Sequence, residues 1–173
     1  MSASTTSTKT SCKIKLERSN PDLGPDLKCR IYLNDLLLDT ITLTDTRNLH
    51  YDIDVRDDDN YLDIEHYDRD NANTETDAKN NIIRTSMVLI KDIKIHEVKF
   101  YATAKHSQNK FYPAYDKTYL EWARKNEPGK NFPDYIEASP EIGINGKFRL
   151  HFKWPLHLHG MYYRNMYNHT DGI

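Results

Sequence analysis

Hydrophobic residues along this chain recur mostly at every second position. That spacing buries one face of a strand and leaves the other in water. Ile14 and Leu16 alternate with Lys13, Lys15 and Glu17. Asn20-Pro21-Asp22 and Gly24-Pro25 then punctuate a loop. Leu27, Cys29, Ile31 and Leu33 fall on one face of the next strand, with Lys28, Arg30 and Tyr32 on the other. Asn34-Asp35 signals a turn into a strand over 36–43. Leu49, Tyr51, Ile53 and Val55 alternate with His50, Asp52, Asp54 and Arg56, and residues 57–60 turn the chain back. In the strand 61–67 that follows, Leu62 and Ile64 point inward and Asp63 and Glu65 outward. A polar loop over 68–81 leads into the most apolar stretch, 82–95, where Lys91-Asp92 marks a bulge or bend. Val98, Phe100 and Tyr101 close that sheet.

Residues 105–140 break the alternation. Phe111-Tyr112-Pro113-Ala114-Tyr115 is aromatic and irregular, and a short helix over 117–126 is ended by Pro128-Gly129. Gly143 and Asn145-Gly146 introduce a last strand with Phe148, Leu150 and Phe152 inward and Lys147, Arg149 and His151 outward. Seven or eight short strands with polar turns predict an all-β fold, an antiparallel β-sandwich of jelly-roll or Ig-like type. An open barrel is the alternative. The expected layout is a loose, Ser/Thr-rich arm over 1–11 and one domain over 12–173. Residues 105–140 form a long insertion in that domain and carry its one short helix.

Charge and composition narrow the function. The chain has 173 residues and a formal net charge of −2, but residues 52–77 hold eleven acidic side chains against two basic ones. No compact Lys/Arg run occurs, which argues against nucleic acid as a partner. No stretch approaches the ~18 apolar residues of a membrane span, and the N-terminal residues lack the apolar core of a secretion signal. Synthesis in a cytoplasm is therefore expected, with Cys12 and Cys29 reduced, although both fall in strands near the N-terminus where a bridge is conceivable. Twelve tyrosines, apolar rings with polar tips, suit half-buried strand positions and binding surfaces.

Three groups of residues could carry chemistry. The first is the acidic loop, where Asp68, Asp70, Asn73 and Asp77 supply the hard oxygen ligands that calcium prefers. It is not an EF-hand, because Ala72 occupies the third ligand position and no glycine follows. The plain alternative is a solvated acidic loop. The second is the aromatic group Phe111, Tyr112, Tyr115, Tyr119 and Trp122, suited to stacking on sugar rings, to contact with a partner protein, or to sealing one end of the sandwich. Third, His157 and His159 share a face near His151, a weak zinc or nickel pattern without a fourth ligand. No nucleophile elbow, zincin, P-loop or dinucleotide-binding pattern occurs, so an enzyme is not expected.

Two resemblances attach to particular segments. The Asp/Asn loop from Asp68, with Asn81-Ile82-Ile83-Arg84 and Val88-Leu89-Ile90-Lys91-Asp92-Ile93-Lys94-Ile95, resembles virion proteins of tailed phages, those of marine cyanobacterial phages above all. The strand Gly143-Ile144-Asn145-Gly146-Lys147-Phe148-Arg149-Leu150-His151-Phe152 is similar to one that recurs in them. That resemblance implies a non-enzymatic structural protein of the virion, at head, neck or tail, in an oligomeric assembly with other virion proteins. The small β-sandwich with acidic loops is also similar to calcium-dependent xylan-binding modules. This second resemblance implies a carbohydrate-binding or adhesion domain that recognises a cell-surface glycan.

Overall fold

A computed structural model describes residues 6–103 and 109–158. In chain order its elements are β1 (Ser7–Arg18), β2 (Leu27–Leu33), β3 (Leu36–Leu43), β4 (Thr46–Arg56), β5 (Asp58–Tyr67), β6 (Thr74–Thr76) and β7 (Ile82–Thr85). They continue with β8 (Val88–Ile95), β9 (Val98–Phe100), β10 (Lys110–Pro113), α1 (Lys117–Asn126), β11 (Ile136–Glu137), β12 (Glu141–Ile142) and β13 (Gly146–Trp154). Sheet 1 has the order β12-β8-β1-β4, with β9 also on β8, and sheet 2 the order β11-β10-β13-β5-β2-β3. A small hairpin, β6-β7, stands apart from both.

Every pairing between the described strands is antiparallel. The alternation seen in the sequence explains why. Ile14, Leu16, Ile53 and Ile93 of sheet 1 meet Ile31, Leu43, Leu62, Phe148, Leu150 and Phe152 of sheet 2 in one buried cluster. Each such side chain contributes about 1.5–3 kcal/mol when fully withdrawn from water. The protein is an antiparallel β-sandwich. The bulge expected at Lys91-Asp92 is present: Lys15 faces Asp92 while Leu16 faces Ile90, so Lys91 is the extra residue.

Two expectations need correction. Residues 7–11 are not an arm but the start of β1, paired with β4 from Ser7↔Arg56 to Ser11↔Asp52. Thr8 and Thr10 suit a strand despite their polarity, and Thr10 is buried. The segment 105–140 is likewise more than an insertion, because β10 and β11 extend sheet 2 beyond β13. Helix α1 spans the expected residues, and the Asp116 side chain caps it by accepting a hydrogen bond from the Tyr119 amide at 3.0 Å.

Buried polar groups fix the loops. Arg18, 2 % exposed, donates to Ser86 Oγ, to Asp26 and to the Leu23 and Gly24 carbonyls. Asn73, equally hidden, donates to the carbonyls of Leu23 and Pro25 at 3.1 and 2.8 Å. Gly24 lies between them with φ +75°, and a Cβ there would stand 2.5 Å from the Ala72 carbonyl oxygen. No other residue fits that approach without displacing one of the two loops. Cys12 and Cys29 are free thiols, both fully buried, and burial pushes each up to about 12. No helix among the described residues is long and apolar enough to cross a membrane.

Candidate functional site

The four expected calcium ligands do not form one set. Asp68 pairs with Lys28 at 2.6 Å, and that ammonium holds its carboxyl below the usual range. Asp70 caps a short 3-10 turn over Asn71–Asn73, accepting from the Ala72 amide. Asn73 completes that capping box and points into the Leu23–Pro25 loop, so only Asp70 and Asn73 come together. Asp77 accepts from the Lys79 and Asn81 amides and from Asn81 Nδ2. Among the described residues no three His, Cys, Asp or Glu side chains are grouped to hold a metal ion. The acidic loop is thus occupied in holding its own shape.

The aromatic group divides by depth. Phe111 is 6 % exposed and belongs to the core, because β10 turns its odd positions inward; it is not a contact residue. Tyr115 is half-buried, with its hydroxyl donating to the Pro133 carbonyl and its ring edge-on to Phe132. Tyr119 and Trp122 stay open to solvent at 39 % and 51 %. They lie one helical turn apart on α1, with ring centroids 6.1 Å apart and planes within 22°. Lys130 donates to the Tyr119 hydroxyl at 2.7 Å and steadies that ring.

These two rings border an open cleft of ≈ 870 Å³ that also reaches the acidic loop. Arg69, Asp70 and Asn71 line one side, Tyr119 and Trp122 another, and Ala114 and Asn145 the end formed by β10 and β13. Asn145 Oδ1 accepts from the Arg69 amide at 3.0 Å, which ties the β12–β13 connection to the loop after β5. The Arg69 guanidinium donates to Thr74 and Thr85 hydroxyls, both at 2.5 Å. Its Nε is buried without a partner, and burial lowers its affinity for the proton. The cleft therefore offers two exposed, nearly parallel aromatic rings beside the amide and carboxylate groups of Asn71, Asn145 and Asp70. Of the two expected groups, Asp70 from the acidic loop and Tyr119 and Trp122 from the aromatic segment line the same cleft.

Alternation turned Arg30, Tyr32, Lys147, Arg149 and His151 outward but gave no hint that they share one face of sheet 2. There Tyr32, Tyr61, Tyr67 and Tyr112 interleave with Arg30, Lys147, Arg149 and His151. Arg30 lies 3.7 Å over Tyr67, Lys147 lies 4.5 Å over Tyr32, and Arg149 lies 4.9 Å over Tyr61. Asp63, expected in solvent, is 0 % exposed on that face. Arg149 grips it with two bonds of 2.8 Å and also reaches Asp35 at 3.0 Å, which drives the guanidinium further toward its charged form.

Among the described residues the histidines do not gather. His151 pairs with Asp59 at 2.6 Å and stacks on Tyr61; His157 is exposed, and His159 lies outside the described residues. The unexpected one is His66, wholly buried on the inner side of β5. Neither ring nitrogen makes a well-formed hydrogen bond, and the nearby Ile142 backbone only weakly opposes the loss of its charge. Burial, aided by the Arg69 charge, pushes its pKa down to about 4.

No family model matches the chain. No curated protein matches it either. Among solved structures, the fold is similar to that of vCBM60 in complex with galactobiose. The TM-score is 0.45 and the identity 10%, over 81% of this chain and 96% of that one. At that score the likeness has no bearing on the functional reading. Nothing in these comparisons supports a place in a phage particle.

Proposed function

We propose that this protein is a non-catalytic carbohydrate-binding module, and that the cleft between α1 and the loop after β5 is its site. The observation that supports this reading is the exposed Tyr119–Trp122 pair, with ring planes within 22° of parallel, beside Asn71, Asn145 and Arg69. Pyranose rings offer apolar C–H faces and a fringe of hydroxyls. Exposed aromatic rings next to amide and carboxylate groups answer both, with few polar groups left unpaired. Because Asp68, Asp70 and Asp77 stand apart, the contact proposed is direct, without a bridging calcium ion.

Affinity electrophoresis through gels containing xylan, galactan, hydroxyethylcellulose or mixed-linkage glucan tests this. Retardation by at least one polymer is expected, equal in EDTA and in calcium, and lost in Trp122→Ala. Migration unchanged by every polymer would sink the reading. Retardation that appears only with calcium would restore the acidic loop as a metal site.

A further inference from the structure

We propose that the outer face of sheet 2 continues the cleft, and that the ligand is a neutral, linear polysaccharide lying along the strands rather than a single terminal sugar. This rests on the carbohydrate reading of the cleft and goes beyond it in fixing the ligand as a polymer.

The strand register carries the inference. Ala114 and Asn145, joined by a backbone hydrogen bond of 3.0 Å, line the cleft at the end of the sheet. One step along, Gly146 faces His66, so Tyr67 and its partner Lys28 stand at the level of Asn145. The next outward row is Tyr112, Lys147, Glu65 and Arg30. After it come Lys110, Arg149, Asp63 and Tyr32, and then His151 with Tyr61. Each row holds one tyrosine and at least one nitrogen donor, and rows two residues apart repeat every ~7 Å. From Asn145 to His151 the track is roughly 20 Å long, longer than a disaccharide. A repeating surface fits a repeating ligand.

The charges say which polymer. Arg149 is taken by Asp63 and Asp35, Arg30 by Glu65, and Lys28 by Asp68. Among the described residues Lys110 and Lys147 lie over the Tyr135 and Tyr32 rings without a carboxylate partner. At the other three cations an anionic chain would have to break pairs already made, whereas hydroxyls can bond to the same groups and leave them paired. The cations that lie over Tyr67, Tyr32 and Tyr61 also hold those rings in place, so little rotamer freedom remains to be lost on binding.

The test is calorimetry with xylo-, galacto- and cello-oligosaccharides, each as disaccharide and hexasaccharide. For the series that binds, the hexasaccharide should bind about tenfold tighter, the scale of one well-packed contact. Tyr32→Leu should remove that advantage and leave disaccharide affinity unchanged, while Trp122→Ala weakens both. A tenfold rise in salt should leave affinity unmoved, and a steep fall would overturn the neutral assignment. Equal affinity for both lengths, with Tyr32→Leu silent, would overturn the track and leave the cleft standing. No binding by any oligosaccharide would remove both. Should Tyr32→Leu fail to fold, amide shift mapping on the unmodified protein decides. Hexasaccharide-induced shifts must reach residues 61, 63 and 149, and shifts confined to 69–71, 114–122 and 145 would sink the track.

Discussion

The two outer faces of this sandwich are built from strands of the same kind, yet they differ in almost every physical respect. On sheet 1, β1 and β4 present Lys9, Lys13, Lys15, Asn48, His50, Asp52 and Asp54, all exposed, and no Tyr, Phe or Trp. Its ion pairs are loose or solvated: Lys9–Asp54 spans 3.8 Å with both side chains more than half exposed, and Lys13–Glu97 reaches in from the β8–β9 turn. On sheet 2 the same alternation yields a layer of half-buried rings and guanidiniums over a carboxylate with no exposure at all. Charges on the first face mainly keep it wet. On the second the Arg149–Asp63 pair is structural, because withdrawing Arg149 leaves Asp63 stranded away from water.

The largest test of that contrast is Arg149→Ala. It leaves Asp63 buried and unpaired and should lower unfolding free energy by about 3 kcal/mol, toward the lower end for a buried pair because Arg149 itself is a quarter exposed. Lys13→Ala on sheet 1 should leave the urea midpoint where it was. Equal losses in the two variants would erase the distinction between the faces.

Acid should act through sheet 2 as well, but from its inner side. Unfolded, His66 takes a proton near pH 6.5; folded, only near pH 4, so the unfolded state binds more protons between those values. Stability therefore falls as pH drops from 6.5 to 4, by about 2–3 kcal/mol. Denaturation curves across that window should show the slope, and His66→Phe should flatten it. A slope unchanged in that variant would place the acid response elsewhere.

A smaller effect probes the latch between the loop after β1 and the loop after β5. Gly24→Ala introduces a Cβ against the Ala72 carbonyl at a positive φ, so a loss of roughly 1–2 kcal/mol is expected. Trp122→Ala should have the smallest effect on stability, because the ring is half exposed, while it removes glycan binding. A variant that melts early would make Trp122 a packing residue and weaken the case for the cleft.

What could be read in advance follows the same division. Period-two alternation marked β1, β2, β4, β5 and β13 and their inward residues, since burial on one face is a property of each strand alone. The helix over 117–126 was legible from its break at Pro128-Gly129. Pairing was not. That Lys110, Arg149, Asp63 and Tyr32 form one row depends on register across four strands, which no single strand encodes. For the same reason Asp63 looked solvent-facing, and the acidic loop and the aromatic segment looked like separate sites. Phe111 was misplaced because the irregular 111–115 run hid a short strand, and 7–11 because serine and threonine read equally well as disorder.

The two hidden thiols give the protein a means of reporting on itself. With Cys12 on the central strand of sheet 1 and Cys29 within sheet 2, each shut from solvent and held protonated to about pH 12, neither sulfur can react with an alkylating reagent while the sandwich is closed. Labelling must wait for the sheets to part, so its rate counts openings, and the two positions time each half separately. Matched rates would mean that the layers come apart in one event. A faster Cys29 would mean that the face proposed to hold the ligand breathes on its own, and a bound glycan should then slow that clock and leave the other running.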